Sequence, residues 1–552
     1  MQEQNLTGQT LHLAGYGQRI RERLQKWQRQ DAPRRVWQKD PTFWFQEPQS
    51  ELVDRLGWLD LPEGMKDQLD DLAEFAEGVK NEGMQAVVLM GMGGSSLAPE
   101  VYQRTFGNAP GYPELHVLDS THPAAVTEIE KSLDLSKTLF LVSSKSGTTI
   151  EAISFMHYFW HALAQTVDAP GNQFAAVTDP GTSLEQTAHE FNFRRVFNAP
   201  PDIGGRYSAL SVFGLVPAAL IGMDLHKYLE YTRTFSEKRA LAENAGNNEA
   251  LELGAALGEL ALAGRNKLTF TTSPALAAFP DWVEQLVAES TGKEGTGIIP
   301  VVGEPLSSPD CYQRDRVFVH IETTSEQDPE VNGKLSSLEN AGHPVLRFQL
   351  PDRYCLGQEM FRWEFAIATA SATLGIHPFN QPDVELAKKL AKQAMQDSDD
   401  TDKDEGETYS VHNLDQVREA LQKHLSALGD NAYIGLQAYT APSTEVTQRL
   451  QQLRTSLHER TRTATTLGYG PRFLHSTGQL HKGGPKNAFF LQLIDTPEKS
   501  VQVPQKDYTF QKLVHAQASG DYFALKENGQ PVLRINLGRD PVEGLRQLGE
   551  IL

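Results

Sequence analysis

Cysteine is almost missing from this chain, since only Cys311 and Cys355 occur among its 552 residues. Two thiols cannot form a disulfide framework or a four-thiolate metal site, and so little cysteine in a large chain is typical of a reducing compartment. We therefore expect a cytoplasmic protein in which both cysteines serve ordinary packing.

Long apolar runs and excess positive charge are missing as well. Nowhere do about 18 consecutive apolar residues occur, and the N-terminus has no basic region followed by an apolar stretch, so neither membrane insertion nor export is expected. Lysine and arginine number 51 against 71 aspartate and glutamate, which gives a net charge of −20. A surface of that sign disfavours a nucleic-acid partner, although it does not exclude a local basic pocket.

The chain is instead rich in short apolar runs that alternate with longer helical stretches, a pattern typical of parallel α/β units. Successive runs in its first half start about 20–35 residues apart, which leaves room for one helical crossover each and predicts a doubly wound sheet. The predicted strands of this sheet are 86–90, 115–118, 139–143, 174–177 and 195–197. A second series predicts strands at 268–271, 298–302, 317–321 and 345–348, and a helix over 357–374. A third predicts strands at 433–439, 489–494 and 532–537, and a helix over 445–460.

Composition divides the chain into domains. Seven acidic residues and one lysine, without any large apolar side chain, occupy 397–407 and predict an acidic linker. We expect an N-terminal helical extension at 1–54, a first α/β domain at 55–245, a second at 246–396 and a C-terminal α/β unit at 408–552.

A glycine-rich turn follows the first predicted strand. Gly94 and Ser95 lie in the segment 91–96 (GMGGSS), ahead of a predicted helix. Glycine lets backbone amides approach an anion, and the helix N-terminus adds a partial positive charge, so the turn predicts a phosphate or sugar-phosphate site. Two alternatives stay open: a merely tight turn, and a dinucleotide site, although Ser96 replaces the third glycine of G-x-G-x-x-G.

A hydroxyl loop follows the third predicted strand, at 143–149 (SSKSGTT). Ser144, Lys145, Ser146 and Thr149 place hydroxyls and one ammonium group where a phosphate monoester needs several donors. A helix cap is the local alternative, but one hydroxyl would suffice for it. Because the carboxyl ends of parallel strands meet at one edge of a sheet, we expect this loop and the glycine-rich turn to lie together.

Candidate catalytic groups occur further along the chain. Arg206 follows two glycines and can face an enolate or a phosphate as a permanent cation, or it can be a surface arginine after a turn. Glu289 and Lys293 end a predicted helix that also carries Gln285. A solvent-exposed i,i+4 ion pair is the plain alternative for these two charges.

Two more segments carry polar groups. Lys388 lies about two turns into a predicted helix that starts after Gln381 and Pro382, and a solvated lysine is its plain alternative. His475 and His481 occupy a glycine-containing C-terminal segment. Histidine exchanges protons near neutral pH, although paired loop histidines are often only solvated.

Motifs for metal binding and covalent catalysis do not occur in the sequence. These motifs include H-E-x-x-H, clustered Cys and His, the calcium loop, the G-x-S-x-G nucleophile elbow and the Walker A loop. We therefore expect no metal and no cofactor. Proton transfer on a phosphorylated substrate is the chemistry that remains.

Taken in order, the motifs resemble those of the glucose-6-phosphate isomerase family. The matching segments are Gly93-Gly94-Ser95, the hydroxyl loop, Gly204-Gly205-Arg206-Tyr207-Ser208, Glu289-Ser290-Thr291-Gly292-Lys293 and 379–388. The family is built from two doubly wound sugar-isomerase (SIS) domains, and the C-terminal part resembles the isomerase half of fused transaldolase/glucose-6-phosphate isomerases. The resemblance implies an α/β fold with two doubly wound parallel-sheet SIS domains plus a C-terminal α/β unit, and a homodimer.

The resemblance also implies a role for each matched residue. Glu289 would be the base that moves a proton between C2 and C1 of the open-chain sugar through a cis-enediol. Arg206 would stabilise the negative oxygen of that intermediate, and Lys388, with a histidine, would assist ring opening. The residues implied to bind the substrate are Gly94, Ser95, Ser144, Lys145, Ser146, Thr149, Gln285 and Gln381.

The chain departs from the family at the ring-opening histidine. The family has it in a G-T-N-G-Q-H segment soon after a G-E-P triplet, but here the segment after Gly303-Glu304-Pro305 places Cys311 at that position. The most similar string, TGQLH at 477–481, lies in the C-terminal unit. We expect His481, or less favourably His475, to replace the missing histidine; ring opening without it is the remaining alternative.

Three other functions stay open. A catalytically silent sugar-phosphate sensor with SIS domains would need the phosphate loops but not Glu289. A related sugar-phosphate isomerase that also uses mannose 6-phosphate would differ in pocket shape, and a Rossmann-type dehydrogenase would have to bind a nicotinamide cofactor. The isomerase hypothesis predicts a small-molecule sugar phosphate as substrate and no cofactor.

Overall fold

Three five-stranded sheets form the framework of the chain. The structure is a computed structural model that describes residues 6–47, 49–240, 245–396 and 407–552. Its strands are β1 (Gly8–His12), β2 (Ala86–Gly91), β3 (Glu114–Leu118), β4 (Thr138–Ser143), β5 (Phe174–Thr178), β6 (Arg195–Asn198), β7 (Lys267–Thr272), β8 (Ile299–Val301), β9 (Arg316–Thr323), β10 (Val345–Leu350), β11 (Thr408–Ser410), β12 (Tyr433–Tyr439), β13 (Ala464–Tyr469), β14 (Ala488–Ile494) and β15 (Val532–Asn536).

Helices connect and cover these strands. They are α1 (Gly17–Arg29), α2 (Ala32–Trp37), α3 (Leu61–Gly64), α4 (Leu69–Asn81), α5 (Leu97–Phe106), α6 (Pro123–Ser132), α7 (Ile150–Leu163), α8 (Ser183–Glu190), α9 (Val212–Leu220), α10 (Leu225–Phe235), α11 (Glu249–Leu262), α12 (Phe279–Thr291), α13 (Pro329–Asn340), α14 (Leu356–Leu374), α15 (Val384–Gln396), α16 (Leu414–Ser426), α17 (Thr444–Thr461), α18 (Gly478–Gly483), α19 (Phe510–Glu527) and α20 (Pro541–Glu550). Among the described residues, no helix is both long and apolar enough to cross a membrane.

The first sheet, which defines the first unit, has the order β3-β2-β4-β5-β6 with every neighbouring pair parallel. The strands predicted for it are confirmed to within one residue at each end. β2, β4 and β5 are buried at every position, because helices cover both faces of a parallel sheet. This continuous burial explains why their apolar runs were easy to recognise.

The second sheet, which defines the second unit, has the order β1-β10-β9-β7-β8. Its four predicted strands are confirmed as β7 to β10, and the predicted helix is confirmed as α14. The N-terminal extension, expected to be helical, also supplies β1, which pairs antiparallel with β10 from Gly8↔Gln349 to His12↔Val345. A single edge strand whose partner lies far along the chain has no neighbouring turn to reveal it.

The third sheet, which defines the C-terminal unit, has the order β11-β15-β14-β12-β13 and is entirely parallel. The three strands predicted here and the helix α17 are confirmed, whereas β11 and β13 were not predicted. Of the predicted acidic linker at 397–407, all but Glu407 lies outside the described residues.

All three sheets share one winding pattern. In each sheet one strand lies between the two strands that follow it along the chain: β2 between β3 and β4, β7 between β8 and β9, and β12 between β13 and β14. Such a switch in winding direction opens a crevice at the carboxyl edge of the sheet, where ligands bind in open α/β folds. The glycine-rich turn and the hydroxyl loop follow β2 and β4, the two strands that flank this switch in the first unit.

The C-terminal unit docks on the second unit where the connection from β8 to β9 has no α-helix. That connection contains only the short turn Pro309–Cys311. Nearby, the buried carboxylate of Glu304 accepts hydrogen bonds from Arg316 Nη1 (2.7 Å) and from Thr465 Oγ1 of the C-terminal unit (2.9 Å). The C-terminal unit therefore covers a flank that a crossover helix would otherwise protect.

The C-terminal unit also docks on the first unit. Thr121, which follows β3, donates from Oγ1 to Gln517 Oε1 of α19 (2.7 Å). The rings of Phe155 and Phe510 stack with their centroids 5.8 Å apart, which adds an apolar contact between α7 and α19. The carboxyl edge of the first sheet is thus enclosed by the C-terminal unit.

Candidate active site

The glycine-rich turn and the hydroxyl loop start from paired residues, because Gly91 of β2 pairs with Ser143 of β4. The expected meeting of the two segments is therefore confirmed. A Cβ atom added to Gly94 would lie 2.0 Å from Gly205 O, so only glycine allows this contact. The glycine-rich turn consequently packs directly on the segment that carries Arg206.

The predicted phosphate hydroxyls lie around this edge. Ser95 is 8% exposed, and its hydroxyl makes no hydrogen bond to another described residue. Ser144 is buried and shares a hydrogen bond of 2.8 Å with Thr149 Oγ1, while Ser146 is exposed and pairs with Thr148 (3.0 Å). The loop therefore offers hydroxyls at several depths, which suits a group with three acceptor oxygens.

Lys145 lies in the hydroxyl loop but its ammonium group is already paired. It forms an ion pair with Asp179, the residue that follows β5. Burial raises the pKa of Asp179, and the hydrogen bond and charge of Lys145 act against that rise. Lys145 thus lies beside the loop as a neutralised cation.

Arg206 is 3% exposed, which excludes the surface-arginine alternative. All of its guanidinium nitrogens donate hydrogen bonds, and the acceptors are Ser290 Oγ (2.9 Å), Glu289 Oε2 (2.9 Å), Gln381 Oε1 (2.9 Å), Pro378 O (2.7 Å) and Asn380 O (3.1 Å). The guanidinium group therefore joins the C-terminal end of α12 to the segment 378–381, just before α15.

Glu289 occupies the last turn of α12 and is 6% exposed. Its Oε2 atom is held by Arg206, whereas no described residue donates a hydrogen bond to Oε1. A buried carboxylate with one oxygen fixed and the other available has the geometry of a general base. The solvent-exposed ion pair considered for Glu289 and Lys293 is therefore excluded.

Lys293 is also buried and donates to the backbone carbonyl of His377. Burial and then the positive charge of Arg206 lower its pKa well below the usual value, and the carboxylate of Glu289 acts in the opposite direction. Arg206 and Lys293 therefore fix the same segment, 377–380, by its carbonyl groups.

The two predicted sugar-binding glutamines have different hydrogen-bond partners. Gln381 is exposed and accepts the hydrogen bond from Arg206 described above. Gln285 is 3% exposed and donates from Nε2 to His475 O (2.8 Å), but its buried Oε1 has no hydrogen-bond partner in the described part of the chain. A buried amide oxygen without a partner is costly, so a donor from a bound molecule would complete it.

Lys388 is largely exposed on α15, where it pairs with Glu385 (2.8 Å). Its contacts are therefore those of a solvated lysine, as the plain alternative expects. Its charge nevertheless acts on Glu151 in the first turn of α7 and contributes to lowering the pKa of that carboxyl. Lys388 thus lies close enough to Glu151 for its charge to act on that carboxyl.

His481 is not at this site, which is a correction to the favoured expectation. It is 4% exposed, its ring lies between Phe473 and Phe490, and its Nδ1 atom is 3.2 Å from Gln437 Nε2. Burial, followed by the charge of Lys482, lowers its pKa well below the usual value. α18 turns this side chain into the core of the C-terminal unit.

His475, the less favoured candidate, is the histidine that the structure brings to the loops. Its Nε2 atom lies 2.9 Å from Glu151 Oε1, and its carbonyl accepts the hydrogen bond from Gln285. A Cβ atom on Gly93 would lie 2.5 Å from His475 O, so the turn 472–475 packs on the glycine-rich turn. No described residue forms a hydrogen bond with His475 Nδ1.

Sequence reasoning missed Glu151 and Gln517, whose side chains meet at His475. Gln517 Nε2 donates to Glu151 Oε1 (2.7 Å), the oxygen that also faces the imidazole. Glu151 is the second residue after the hydroxyl loop, and an acidic residue in the first turn of a helix was the available signal. Gln517 lies on an otherwise ordinary helix and gave none. Among the described residues, no group of three or more His, Cys, Asp or Glu side chains could hold a metal ion.

Comparisons with known proteins show which family the sequence resembles. A model of the phosphoglucose isomerase family matches residues 62–298. The glucose-6-phosphate isomerase of Staphylococcus saprophyticus is 30% identical over 399 residues, which cover 62% of this chain and 88% of that protein. The enzyme of the same name from Rubrobacter xylanophilus is 29% identical, with 62% of this chain and 90% of that protein covered.

Solved structures show the same fold. A hypothetical protein from Thermus thermophilus matches with a TM-score of 0.61 and 26% identity over 70% of this chain and 99% of that chain. A glucose-6-phosphate isomerase from Chlamydia trachomatis matches with a TM-score of 0.53 and 21% identity over 70% of this chain and 81% of that chain. In both cases a substantial part of this chain lies outside the match, and the family model itself ends before the C-terminal unit begins.

Proposed function

The chain belongs to the phosphoglucose isomerase family, and from this premise we propose that it interconverts glucose 6-phosphate and fructose 6-phosphate. The observation that carries the proposal is the pair formed by Glu289 and Arg206. A buried carboxylate keeps one oxygen available beside a guanidinium group at the same edge as the phosphate loops. Isomerisation of an aldose to a ketose needs this combination of a base and a fixed positive charge.

In the proposed complex the phosphate group lies between the glycine-rich turn and the hydroxyl loop. Ser95, Ser144, Ser146 and Thr149 supply hydroxyl donors, and the backbone amides around Gly94 add further donors at the start of α5. Lys145 acts as a neighbouring charge, since its ammonium group is paired with Asp179.

Glu289 then transfers the proton. Its Oε1 atom takes the C2 proton of the open-chain aldose, and the C1 carbonyl oxygen becomes the negative oxygen of a cis-enediolate. The hydroxyl proton on O2 then passes to O1, and the same carboxyl group returns its proton to C1 as the C2 carbonyl of the ketose forms. Arg206 stabilises the negative oxygen of the enediolate as it develops. Gln285 Oε1 and Gln381 accept hydrogen bonds from sugar hydroxyls.

Ring opening comes before this transfer because hexose phosphates are mainly cyclic. We assign it to His475, whose Nδ1 atom is available while Nε2 is paired with Glu151. The C1–O5 bond breaks as the imidazole gives a proton to the ring oxygen, and the C1 hydroxyl releases its proton to water as the aldehyde forms. Lys388 adds positive charge nearby. His481 is not part of this proposal, because its ring is enclosed in the C-terminal core.

A coupled assay tests the proposal. Purified protein converts fructose 6-phosphate, and a glucose-6-phosphate-specific dehydrogenase reports the product without added metal. Glu289→Gln, which keeps a partner for Arg206 but cannot accept a proton, should lower turnover by about 10²-fold or more. Glu330→Gln, an exposed carboxylate on α13, is the matched control and should leave turnover unchanged.

Two outcomes would redirect the assignment. Binding of sugar phosphate without wild-type turnover would indicate the sensor, and equal turnover in wild type and Glu289→Gln would mean that another group is the base. Turnover of mannose 6-phosphate in addition to glucose 6-phosphate would indicate the related isomerase that uses both substrates.

The homodimer and the cytoplasmic location stay proposals that follow from the family resemblance and from cysteine scarcity. Light scattering on the purified full chain would measure the oligomeric state. A mass of about 61 kDa, that of one chain, would contradict the homodimer.

A further inference from the structure

The turn that presents His475 carries a second charged side chain, Arg472. Its guanidinium group pairs with Glu100 on α5, and its Nη1 atom lies 3.1 Å from Oδ2 of Asp119, which follows β3. Both carboxylates belong to the first unit, whereas Arg472 belongs to the C-terminal unit. Arg472 is therefore a charged link between the two units, three residues before the histidine.

More carboxylates surround this link than one arginine can neutralise. Asp281 and Glu284 of α12 act on it from the second unit, and Arg104 lies 3.7 Å from Asp281. Burial raises the pKa of Asp119 and of Asp281 to about 6, and that of Glu284 to about 8, against the charge of Arg472. Arg472, itself part of the C-terminal unit, is thus the cation on which carboxylates of the first and second units converge.

Both direct partners of Arg472 are rigidly joined to the glycine-rich turn. Glu100 lies in the first turn of α5, the helix that the turn starts. Asp119 follows Leu118, which pairs with Met90 on β2, the strand that leads into the turn. A link to these two carboxylates therefore sets where the turn 472–475 lies relative to the predicted phosphate site.

We propose that Arg472 is a positioning residue for the isomerisation, which holds His475 in register with the glycine-rich turn. The proposal rests on the function proposed above and adds a residue that lies outside the substrate contacts. Arg472 contacts neither Glu289 nor the hydroxyl loop, so proton transfer on the open-chain sugar does not depend on it. Its contribution acts mainly through the histidine and affects opening of the ring more than binding of the open-chain sugar, which the turn reaches through the hydrogen bond from Gln285 to His475 O.

The test compares Arg472→Gln, Arg472→Lys and the control Arg104→Gln in the full chain. The readouts are kcat with cyclic glucose 6-phosphate and the inhibition constant of an open-chain aldonate 6-phosphate, which binds without ring opening. Arg472→Gln should lower kcat by about 10-fold to 10²-fold, the scale of a small misplacement. It should change the inhibition constant much less, because the turn reaches the sugar contacts through the hydrogen bond from Gln285 to His475 O. Arg472→Lys should recover part of the loss, because an ammonium group can pair with one carboxylate. Arg104→Gln should leave both values unchanged.

A double-variant cycle separates positioning from a general structural effect. Because Arg472 acts through His475, Arg472→Gln combined with His475→Asn should be no slower than His475→Asn alone. Additive losses, an unchanged kcat in Arg472→Gln, or a joint loss of kcat and inhibitor binding would overturn the proposal. Should Arg472→Gln not fold, Glu100→Gln and Asp119→Asn each remove one partner of Arg472. Each variant must then lower kcat and change the inhibition constant much less. A wild type that binds the aldonate but has no turnover would refute the isomerase function instead.

Discussion

His475 Nε2 lies 2.9 Å from Glu151 Oε1, so an imidazole of the C-terminal unit is paired with a buried carboxylate of the first unit. Burial alone would raise the pKa of Glu151, but the charge of His475 and its hydrogen bond outweigh this effect and hold the pKa below its usual value. The pairing fixes one ring nitrogen and leaves the other available.

The two histidines should respond differently to substitution. His475→Asn should lower kcat for cyclic glucose 6-phosphate by about 10²-fold, because a positioned proton donor is lost. His481→Asn should leave kcat nearly unchanged and lower the free energy of unfolding by about 1–3 kcal/mol, because buried hydrogen bonding is disturbed. The coupled assay and thermal denaturation measure these effects, and a larger kinetic loss in His481→Asn would contradict the assignment.

The buried ion pair of Lys482 and Asp521 is expected to be sensitive to loss of one partner. Both side chains are at most 1% exposed. Asp521→Asn leaves a buried ammonium group without its counter-ion and should lower the free energy of unfolding by about 3–5 kcal/mol. Glu543→Gln removes a carboxylate from the exposed pair with Arg546 and should cost less than about 1 kcal/mol. Equal effects in urea denaturation would contradict this prediction.

Glu364 on α14 should make stability depend on pH. It is fully buried, neither of its carboxyl oxygens has a partner among the described residues, and burial raises its pKa well above the usual 4.5. The folded state therefore keeps a proton that the unfolded state releases, so the free energy of unfolding falls as the pH rises above about 4.5.

Glu364→Gln removes this dependence. The variant and the wild type should have similar midpoints of thermal unfolding near pH 4, and the variant should become progressively more stable towards pH 8. Glu330→Gln, exposed on α13, serves as the control and should follow the wild type. A constant difference between Glu364→Gln and the wild type across this range would show that the carboxyl group does not titrate as expected.

Gly94→Ala tests the close approach of the glycine-rich turn to Gly205. The added methyl group would lie 2.0 Å from a carbonyl oxygen, so the two segments must separate. We expect a loss of about 1–3 kcal/mol in the free energy of unfolding, typical of overpacking, and reduced turnover because Arg206 moves. Gly78→Ala, in α4 with no atom within 4 Å of the new Cβ, should be neutral or slightly stabilising. Equal behaviour of the two variants would contradict the prediction.

Much of the fold was predictable because buried parallel strands are continuous apolar runs, as in β2 and β4. β1 was missed because its partner β10 lies more than 300 residues away, as the pairing of Gly8 with Gln349 shows, and no local pattern reports such a contact. β13 was missed because Gly468 and the following Gly470-Pro471 resemble a turn.

The site was predictable only in part. The motifs of Arg206 and Glu289 are weak one by one and gained weight only from their order along the chain, and the structure brings the two side chains within 2.9 Å of each other. The preference for His481 followed the similarity of the string TGQLH, but α18 turns the ring of His481 between Phe473 and Phe490 of the C-terminal unit. His475 faces the first unit because it packs against Gly93 and pairs with Glu151. The spacing of residues in the sequence gives no information about these long-range contacts.

The flank beside Glu304 implies an order of events during synthesis. Its carboxylate meets Arg316 early, but the hydroxyl of Thr465 leaves the ribosome about 160 residues after Glu304 itself, at about 5–20 residues per second. For that interval the second unit of the nascent chain has an open side that invites premature association with other chains. The ring-opening role proposed for His475 would also make catalytic competence wait for residue 475, so that newly made protein would become active only when translation is nearly complete.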